Sequence, residues 1–159
     1  MTRGERSETA VRRASAADAA AVARLLHDFN SEFGDPTPGV AVLTERVADV
    51  LSSGEATILL LGDGPDGLAQ LRFRRGIFSE GLDAYLEELY VVPAKRGRGL
   101  GRALLEAAMD AAREEGATRI DLGTSEDDVA ARALYESAGF INREGGPDGP
   151  VTFFYERDL

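Results

Sequence analysis

The chain has 159 residues and a formal net charge of −10, with 28 acidic against 18 basic side chains. That length is typical of one domain with a substantial hydrophobic core. The acidic balance argues against a nucleic-acid partner, which would require a basic surface for the phosphates. The sequence contains no cysteine, which excludes disulfides, thiolate metal ligands and a cysteine nucleophile.

The hydrophobic pattern predicts helices interleaved with strands. Apolar side chains at three- and four-residue spacing indicate helices, whereas short alternating or fully apolar runs indicate strands. In chain order the predicted elements are a strand at 9–15, helices at 16–33 and 43–51, strands at 56–62, 68–78 and 83–92, a helix at 99–115, a strand at 118–123, a helix at 127–138 and a strand at 151–155. This order predicts an α/β fold in which helices cover a mixed sheet.

Neither a signal peptide nor a membrane span is expected. The first residues lack the apolar core of a signal peptide, and the longest apolar run, Ile58–Leu61, is too short to cross a bilayer. We therefore expect a cytoplasmic protein without a membrane partner.

The segment Arg96-Gly-Arg-Gly-Leu-Gly101 lies between an apolar strand and a strongly helical run. Glycines are costly at a helix start unless the backbone must come close to something, and arginines there oppose the helix dipole. Both features fit a bound anion, because free backbone N–H groups can hold a pyrophosphate and Arg96, Arg98 and Arg102 can add charge-assisted bonds. The spacing matches neither the dinucleotide fingerprint nor a P-loop. A plain glycine-rich turn with solvated arginines is the alternative.

Residues 89–108 resemble the acetyl-CoA-binding signature of the Gcn5-related N-acetyltransferase (GNAT) superfamily, Arg/Gln-x-x-Gly-x-Gly/Ala. The resemblance implies a single domain over 1–159, built on a mixed, mostly antiparallel sheet of about six to seven strands flanked by about four helices. It implies acceptor-side helices at about 16–51 and a CoA-binding core at about 83–140. It also implies acetyl-CoA as co-substrate and no metal. Dimers are common among relatives, which leaves a homodimer open.

The resemblance assigns the cofactor to two segments. The strand end pairs with the pantetheine arm, the glycine-rich segment holds the pyrophosphate, and a second signature, Asn-x-x-Ala-x-x-Leu-Tyr-x-x-x-Gly-Phe, matches 128–140. Its asparagine is Asp128 here, which can accept but not donate a hydrogen bond, and the spacing of Ser125 and Asp128 is better explained as a helix-capping box. The cofactor-binding residues predicted in this way are Leu89, Tyr90, Val91, Arg96, Gly97, Arg98, Gly99, Leu100, Gly101, Arg102, Asp128, Ala131 and Tyr135.

The same resemblance implies that Tyr135 protonates the departing thiolate, although a half-buried core tyrosine is the alternative. A general base is also required. The single histidine, His27, lies on a polar helix face and is interpreted as a surface residue. Some relatives use a glutamate on the next strand, but Gly123 occupies that position here.

Glu87 and Glu88 lie in the middle of an otherwise apolar strand. A carboxylate there is costly unless it is paired or functional, and partial burial would raise its pKa toward that of a useful base. Strand alternation predicts that the two side chains point to opposite faces. The strand resembles that of polyamine acetyltransferases, so we take Glu87 as the first choice of base and Glu88 as the second. The alternative is an ion pair with Arg72 or Arg74.

By resemblance, the N-terminal helices and their loop form the wall of the acceptor pocket. Aromatic rings and carboxylates together suit a cation, although Phe29 and Phe33, four residues apart, are more simply explained as core. The candidates for substrate binding are Phe29, Asn30, Phe33 and Asp35, with Phe78, Asp83 and Tyr85 from the hairpin side.

The sequence thus predicts transfer of an acetyl group from acetyl-CoA to a primary amine by direct attack, with a small cationic molecule as acceptor. Three alternatives stay open. The domain could bind acyl-CoA without turnover, as a sensor. It could act on a protein or peptide amine. It could also be a nucleotide-binding module of another fold, which would leave the second signature unexplained.

Overall fold

The computed structural model describes residues 8–159, which contain one five-stranded sheet. Its strands are β1 (Val11–Arg13), β2 (Thr57–Leu61), β3 (Gly67–Arg75), β4 (Leu82–Val91) and β5 (Ala117–Leu122). The α-helices with described bounds are α1 (Ala19–Phe33), α2 (Val40–Ser53), α3 (Leu100–Glu114) and α4 (Val129–Ser137). Short 3₁₀ turns lie at Ala16–Asp18 and Pro93–Lys95.

The strands follow one another across the sheet in the order β1-β2-β3-β4-β5. The pairs from β1 to β4 are antiparallel, and β5 is parallel to β4 because α3 carries the chain back to the other end of the sheet. The predicted α/β class and the mostly antiparallel mixed sheet are therefore confirmed. The predicted count of six to seven strands is wrong for the described residues, in which the sheet has five.

The predicted strand at 151–155 accounts for part of this difference. Val151 forms a single bridge to Arg143, and the following residues adopt no regular structure. The side chains of Phe153 and Tyr155 are 70% and 86% exposed. β-branched and aromatic residues favour a strand only where a neighbouring strand and a buried face are available.

Two layers of apolar side chains cover the sheet. On one face, α1 and α2 bury a cluster composed of Ala19, Val22, Leu25, Val47, Ile58, Leu60, Leu68 and Tyr90. The alternate residues of β2, Leu59 and Leu61, are buried as well, so the opposite face is also covered. The long helix α3 contacts β2 to β5 and buries Leu104 and Leu105 completely.

Glycines in the left-handed region mark several helix ends. α1 ends at Gly34 with φ of 76°, and α2 ends at Gly54 with φ of 74°. Both positions allow the chain to leave the helix without the steric cost that a Cβ would add. The helix boundaries lie within three residues of those predicted, apart from the first turn of 16–33, which is 3₁₀.

The chain divides into two compact units, one up to Leu122 and one from Gly123 to Leu159. The first contains the sheet with α1, α2 and α3, and the second contains α4. The predicted CoA-binding core at 83–140 draws residues from both, so the single domain over 1–159 stays a prediction. Within residues 8–159, the helices are all too short or too polar to cross a membrane.

Candidate functional site

A β-bulge in β4 determines where the two strand glutamates point. Gln70 of β3 lies opposite Glu88, whereas the next residue, Leu71, lies opposite Leu86, so Glu87 is an extra residue in β4. A bulge interrupts the alternation of side chains along a strand. Glu87 and Glu88 therefore share one face of the sheet, and the expectation that they point to opposite faces is wrong.

The contacts of Glu87 show the shared face directly. Gln70 Nε2 and Arg72 Nε both donate to Glu87 Oε2, the latter at 2.6 Å. Gln70 and Arg72 are two residues apart on β3 and so lie on the same face, and Gln70 is the register partner of Glu88. The ion-pair alternative is thus confirmed for Glu87, whose charge is compensated by Arg72.

Glu88 has a different environment. Its side chain is half-buried, and its pKa is raised from an ordinary 4.5 to about 7. Burial is the largest cause, followed by repulsion from the carboxylates of Glu87 and Asp35. A carboxyl group that titrates near neutral pH is suited to accept and release a proton under physiological conditions.

Asp35 lies in the loop between α1 and α2, which the end of α1 holds in place. Its backbone N–H donates to the carbonyl oxygen of Asn30 at 2.8 Å, and Asn30 Nδ2 donates to the Pro36 carbonyl at 3.3 Å. His27 Nδ1 lies 3.1 Å from Thr37 Oγ1. Asn30 and His27 thus brace the loop that brings the charge of Asp35 near Glu88.

The sheet face around Glu88, here called the polar face, is negatively charged. Arg74 bridges Asp121 at 3.1 Å and Asp83 at 3.7 Å. Asp121 is the register partner of Tyr85, so β5 adds its carboxylate to the same face. Within residues 8–159, Asp121 Oδ1 is buried and accepts no hydrogen bond. The polar face consists of Gln70, Arg72, Arg74, Asp83, Tyr85, Glu87, Glu88, Arg119 and Asp121.

Beyond Leu86, β4 loses its neighbour on one side. The last register pair between β4 and β5 is Leu86 with Leu122, whereas β4 continues to Val91. No strand among residues 8–159 pairs with this edge of β4 beyond Leu86. The predicted pantetheine-binding residues Leu89, Tyr90 and Val91 lie in this part of the strand. An unpaired edge can bind an extended ligand through backbone hydrogen bonds.

The glycine turn, residues 96–99, leads from β4 into α3. Gly97 and Gly99 have φ of 76° and 77°, a conformation that residues with a Cβ rarely adopt. A Cβ at either position would meet no heavy atom within 4 Å among the described residues, so open space surrounds the turn. The first N–H groups of α3, those of Leu100 and Gly101, have no intrahelical acceptor, and no side chain among residues 8–159 caps the helix. This geometry is typical of an anion site.

Arg96, a predicted phosphate ligand, is engaged by protein groups. Its two terminal nitrogens donate to the carboxylate of Glu32 at 2.5 and 2.8 Å, and its Nε donates to the Val91 carbonyl at 2.9 Å. The structure therefore gives no support to Arg96 as a phosphate ligand. Arg98 Nη1 lies 3.6 Å from a carboxylate oxygen of Glu8. Nothing in the sequence pattern pairs Glu32 with Arg96, because 64 positions separate them.

Besides Asn30 of α1 and Asp35 of the loop that follows it, the five other predicted acceptor residues divide into three groups. Phe29 stacks on Tyr90 with ring centroids 4.9 Å apart and packs against the core, which confirms the core alternative for this residue. Phe33 meets Phe29 edge-on but is 55% exposed, and Phe78 is fully exposed in the β3–β4 connection. Asp83 and Tyr85 lie on the polar face.

The second unit contains the motif at 128–140. Asp128 is the N-cap of α4, and its Oδ1 accepts from the Ala131 N–H at 3.0 Å. The predicted capping box starting at Ser125 is wrong, because the helix begins at Val129 and its N-cap is Asp128. The side chain that replaces the signature's asparagine thus has a local structural role. The ring of Tyr135 lies 5.9 Å from that of Phe140.

Comparisons with known proteins agree with this architecture. The profile of the Acetyltransferase (GNAT) family matches residues 22–140. The chain is 32% identical to the aminoglycoside N(6')-acetyltransferase type 1 of Stenotrophomonas maltophilia, over 87% of this chain and 90% of that protein. It is 46% identical to a mycothiol acetyltransferase of Beutenbergia cavernae over 61 residues, which represent 20% of that longer protein.

Solved structures give the same result. A candidate acetyltransferase from Arthrobacter sp. FB24 superposes with a TM-score of 0.85 at 43% identity, over 94% of this chain and 96% of that one. An aminoglycoside acetyltransferase from an uncultured soil sample shares the fold with a TM-score of 0.72 at 18% identity, over 94% of this chain and 96% of that one. These findings exclude a nucleotide-binding module of another fold. The chain belongs to the GNAT acetyltransferase family.

Proposed function

We propose that the chain transfers the acetyl group of acetyl-CoA to a primary amine of a small cationic molecule. The observation that carries the proposal is the position of Glu88. Its carboxyl group titrates at about pH 7 and lies on the polar face where β4 loses its β5 neighbour. A base at Glu88 therefore lies next to an unpaired strand edge and within a negatively charged surface.

The charge of the polar face supports a cationic acceptor. Four carboxylates, those of Asp83, Glu87, Glu88 and Asp121, share this face with three arginines, and Asp35 adds a further negative charge nearby. An ammonium group is attracted to such a surface and is held there by charge-assisted hydrogen bonds. The full-length relative from Stenotrophomonas maltophilia is named for an aminoglycoside substrate.

In the proposed reaction, Glu88 removes a proton from the acceptor ammonium and so provides the uncharged amine. The amine nitrogen then forms a bond to the thioester carbonyl carbon, the carbon–sulfur bond breaks, and the second proton of the nitrogen is lost to solvent. Backbone N–H groups of Leu89–Val91 stabilise negative charge on the carbonyl oxygen. The departing thiolate takes its proton from Tyr135, a role that rests on the signature at 128–140.

Acetyl-CoA is held mainly by backbone groups in this proposal. The N–H groups at the start of α3 and the positive end of its dipole bind the pyrophosphate, and the two glycines of the turn allow its close approach. Arg98 and Arg102 add positive charge at the same point. Glu87 keeps the polar face ordered through its bonds to Gln70 and Arg72.

The test is release of free thiol from acetyl-CoA in the presence of polyamines, aminoglycosides, amino acids and short peptides. The wild-type chain should release thiol above the water background with a cationic acceptor, and Glu88→Gln should lower the turnover number by about 10²-fold or more. Glu87→Gln is the comparison variant and should lose less activity than Glu88→Gln, because Glu87 is already paired with Arg72.

Other outcomes identify the alternatives. Turnover with peptides alone would move the assignment to a protein or peptide amine. Stabilisation of the fold by CoA without turnover on any acceptor would favour the sensor. Loss of activity in Glu87→Gln but not in Glu88→Gln would reverse the choice of base.

A further inference from the structure

The side chain of Arg96 connects three elements of the first unit. Its terminal nitrogens form a two-point ion pair with Glu32, one residue before the last residue of α1. Its Nε donates to the carbonyl oxygen of Val91, the last residue of β4. The backbone of Arg96 itself belongs to the glycine turn. One guanidinium thus joins α1, β4 and the turn.

Aromatic packing reinforces this connection. The guanidinium lies over the ring of Tyr90, 5.5 Å from its centroid, and Phe29 of α1 stacks on the same ring at 4.9 Å. The Tyr90 hydroxyl also bonds to Glu32, and Arg96 lowers the pKa of Glu32 below its usual value. Tyr90 is almost fully buried, so this arrangement continues into the core.

These contacts engage the guanidinium of Arg96 and leave it poorly placed to bind a phosphate group. Releasing its guanidinium toward the open side of the turn would break two charge-assisted bonds to Glu32, one bond to Val91 and the contact with Tyr90. A bound pyrophosphate would have to replace all of them. The planar two-point geometry is also one that lysine cannot reproduce.

We propose that Glu32 is a positioning residue for the acetyl-transfer reaction. Through Arg96 it fixes the end of α1 against the end of β4, and with it the acceptor loop, residues 34–39 between α1 and α2. The inference rests on the proposed function and adds to it a residue outside both GNAT signatures. The acceptor loop carries Asp35 and is braced by Asn30, which lies two positions before Glu32 on α1. Loosening the Glu32–Arg96 pair therefore affects acceptor binding first.

The experiment compares Glu32→Gln, Arg96→Lys and the double variant with two controls on exposed positions of α2, Glu45→Gln and Arg46→Lys. KM for an acceptor amine, KM for acetyl-CoA and kcat are measured by thiol release, and CoA affinity is measured separately by calorimetry. Both single variants should raise the acceptor KM about five- to tenfold, with no further increase in the double variant. CoA affinity should stay within about twofold, as in the controls.

A phosphate role for Arg96 predicts a different pattern. Glu32→Gln would then free the guanidinium and strengthen CoA binding, while the acceptor KM would stay unchanged; this result would overturn the proposal. Equal rises in both KM values together with a fall in kcat would also overturn it, since they indicate a general loss of structure. Urea unfolding of the wild type, the two single variants and the double variant tests the pair without any activity, and additive losses of stability would contradict it.

The same experiments distinguish a failure of the proposed function from a failure of the Glu32 proposal. A wild-type chain that binds no CoA and releases no thiol would refute acetyl transfer, whereas coupled unfolding of the Glu32 and Arg96 variants would still establish the contact.

Discussion

Glu88 combines burial with two neighbouring negative charges, and each of these disfavours its ionised form. The unfolded chain releases this proton near its ordinary pKa of 4.5, whereas the folded chain keeps it up to about pH 7. The folded state therefore binds more protons between these two values. The contribution of Glu88 to stability is complete below pH 4.5 and is lost as the pH rises through about 7.

The pH dependence of this contribution leads to a prediction for Glu88→Gln, in which a neutral amide replaces the carboxyl group. The variant should unfold at the same urea concentration as the wild type at pH 4, and it should be more stable at pH 8 by on the order of 1 to 3 kcal/mol. Urea unfolding of both chains at the two pH values measures the difference. A variant that is less stable at pH 8 would show that the ionised carboxylate has a stabilising partner.

The hydroxyl of Tyr135 is the proposed proton donor to the departing thiolate. Tyr135→Phe keeps the ring and its contact with Phe140, so the fold should be retained while turnover falls by about 10²-fold or more. Tyr155→Phe is the matched control, because it removes the hydroxyl of an exposed tyrosine in the same unit. Turnover numbers of the three chains decide the question, and equal values for both variants would remove the assignment.

For individual residues, the sequence shows which side chains could act in the site but does not show which role each one has. It places two glutamates in β4 and an aspartate at the head of the second signature. The choice between Glu87 and Glu88 depends on a bulge and on Arg72, and neither can be read from local spacing. Likewise, Glu32, the partner of Arg96, lies 64 positions away in the sequence. Long-range contacts decide which charged group is paired.

At the scale of elements, substitution of a glycine can test whether the glycine turn before α3 binds CoA. Gly99→Ala places a Cβ at φ of 77°, which costs about 1 to 2 kcal/mol of stability. Gly54→Ala introduces the same strain at φ of 74° at the end of α2 and serves as the control. Both variants should lose similar stability in urea unfolding, but only Gly99→Ala should also weaken CoA binding, by about tenfold or more.

Calorimetric titration with CoA measures the second effect. Equal CoA affinity in the two variants would mean that the turn is only a chain reversal, and the cofactor assignment would lose its main support in this unit.

The elements themselves could be predicted to a large extent, and the exceptions have physical causes. Helix starts and ends follow glycines and caps, which are local signals. The sequence predicts all five strands of the sheet, because their apolar runs are bounded by turn residues. The segment at 151–155 has the composition of a strand but lacks a partner strand, and strand formation is never a local property.

At the scale of the whole molecule, the net charge of −10 and the negative polar face act in the same direction. Both should steer a cationic acceptor toward the site and so accelerate its association. Salt screens this attraction, with a Debye length that falls from about 30 Å at 0.01 M to about 8 Å at 0.15 M ionic strength. For a cationic acceptor, kcat/KM measured at saturating acetyl-CoA should therefore decrease several-fold over this range.

An acceptor amine without additional positive charges is the control, and its kcat/KM should change much less, since it presents fewer charges to the field. Holding acetyl-CoA at saturation removes the opposite effect of salt on an anionic co-substrate that binds near arginines. Arg74→Gln sharpens the test, because removing this arginine leaves Asp83 and Asp121 without their shared counter-ion and makes the polar face more negative. The salt dependence for the cationic acceptor should then become steeper. A flat response in both chains would show that the acidic composition serves solubility and not substrate recognition.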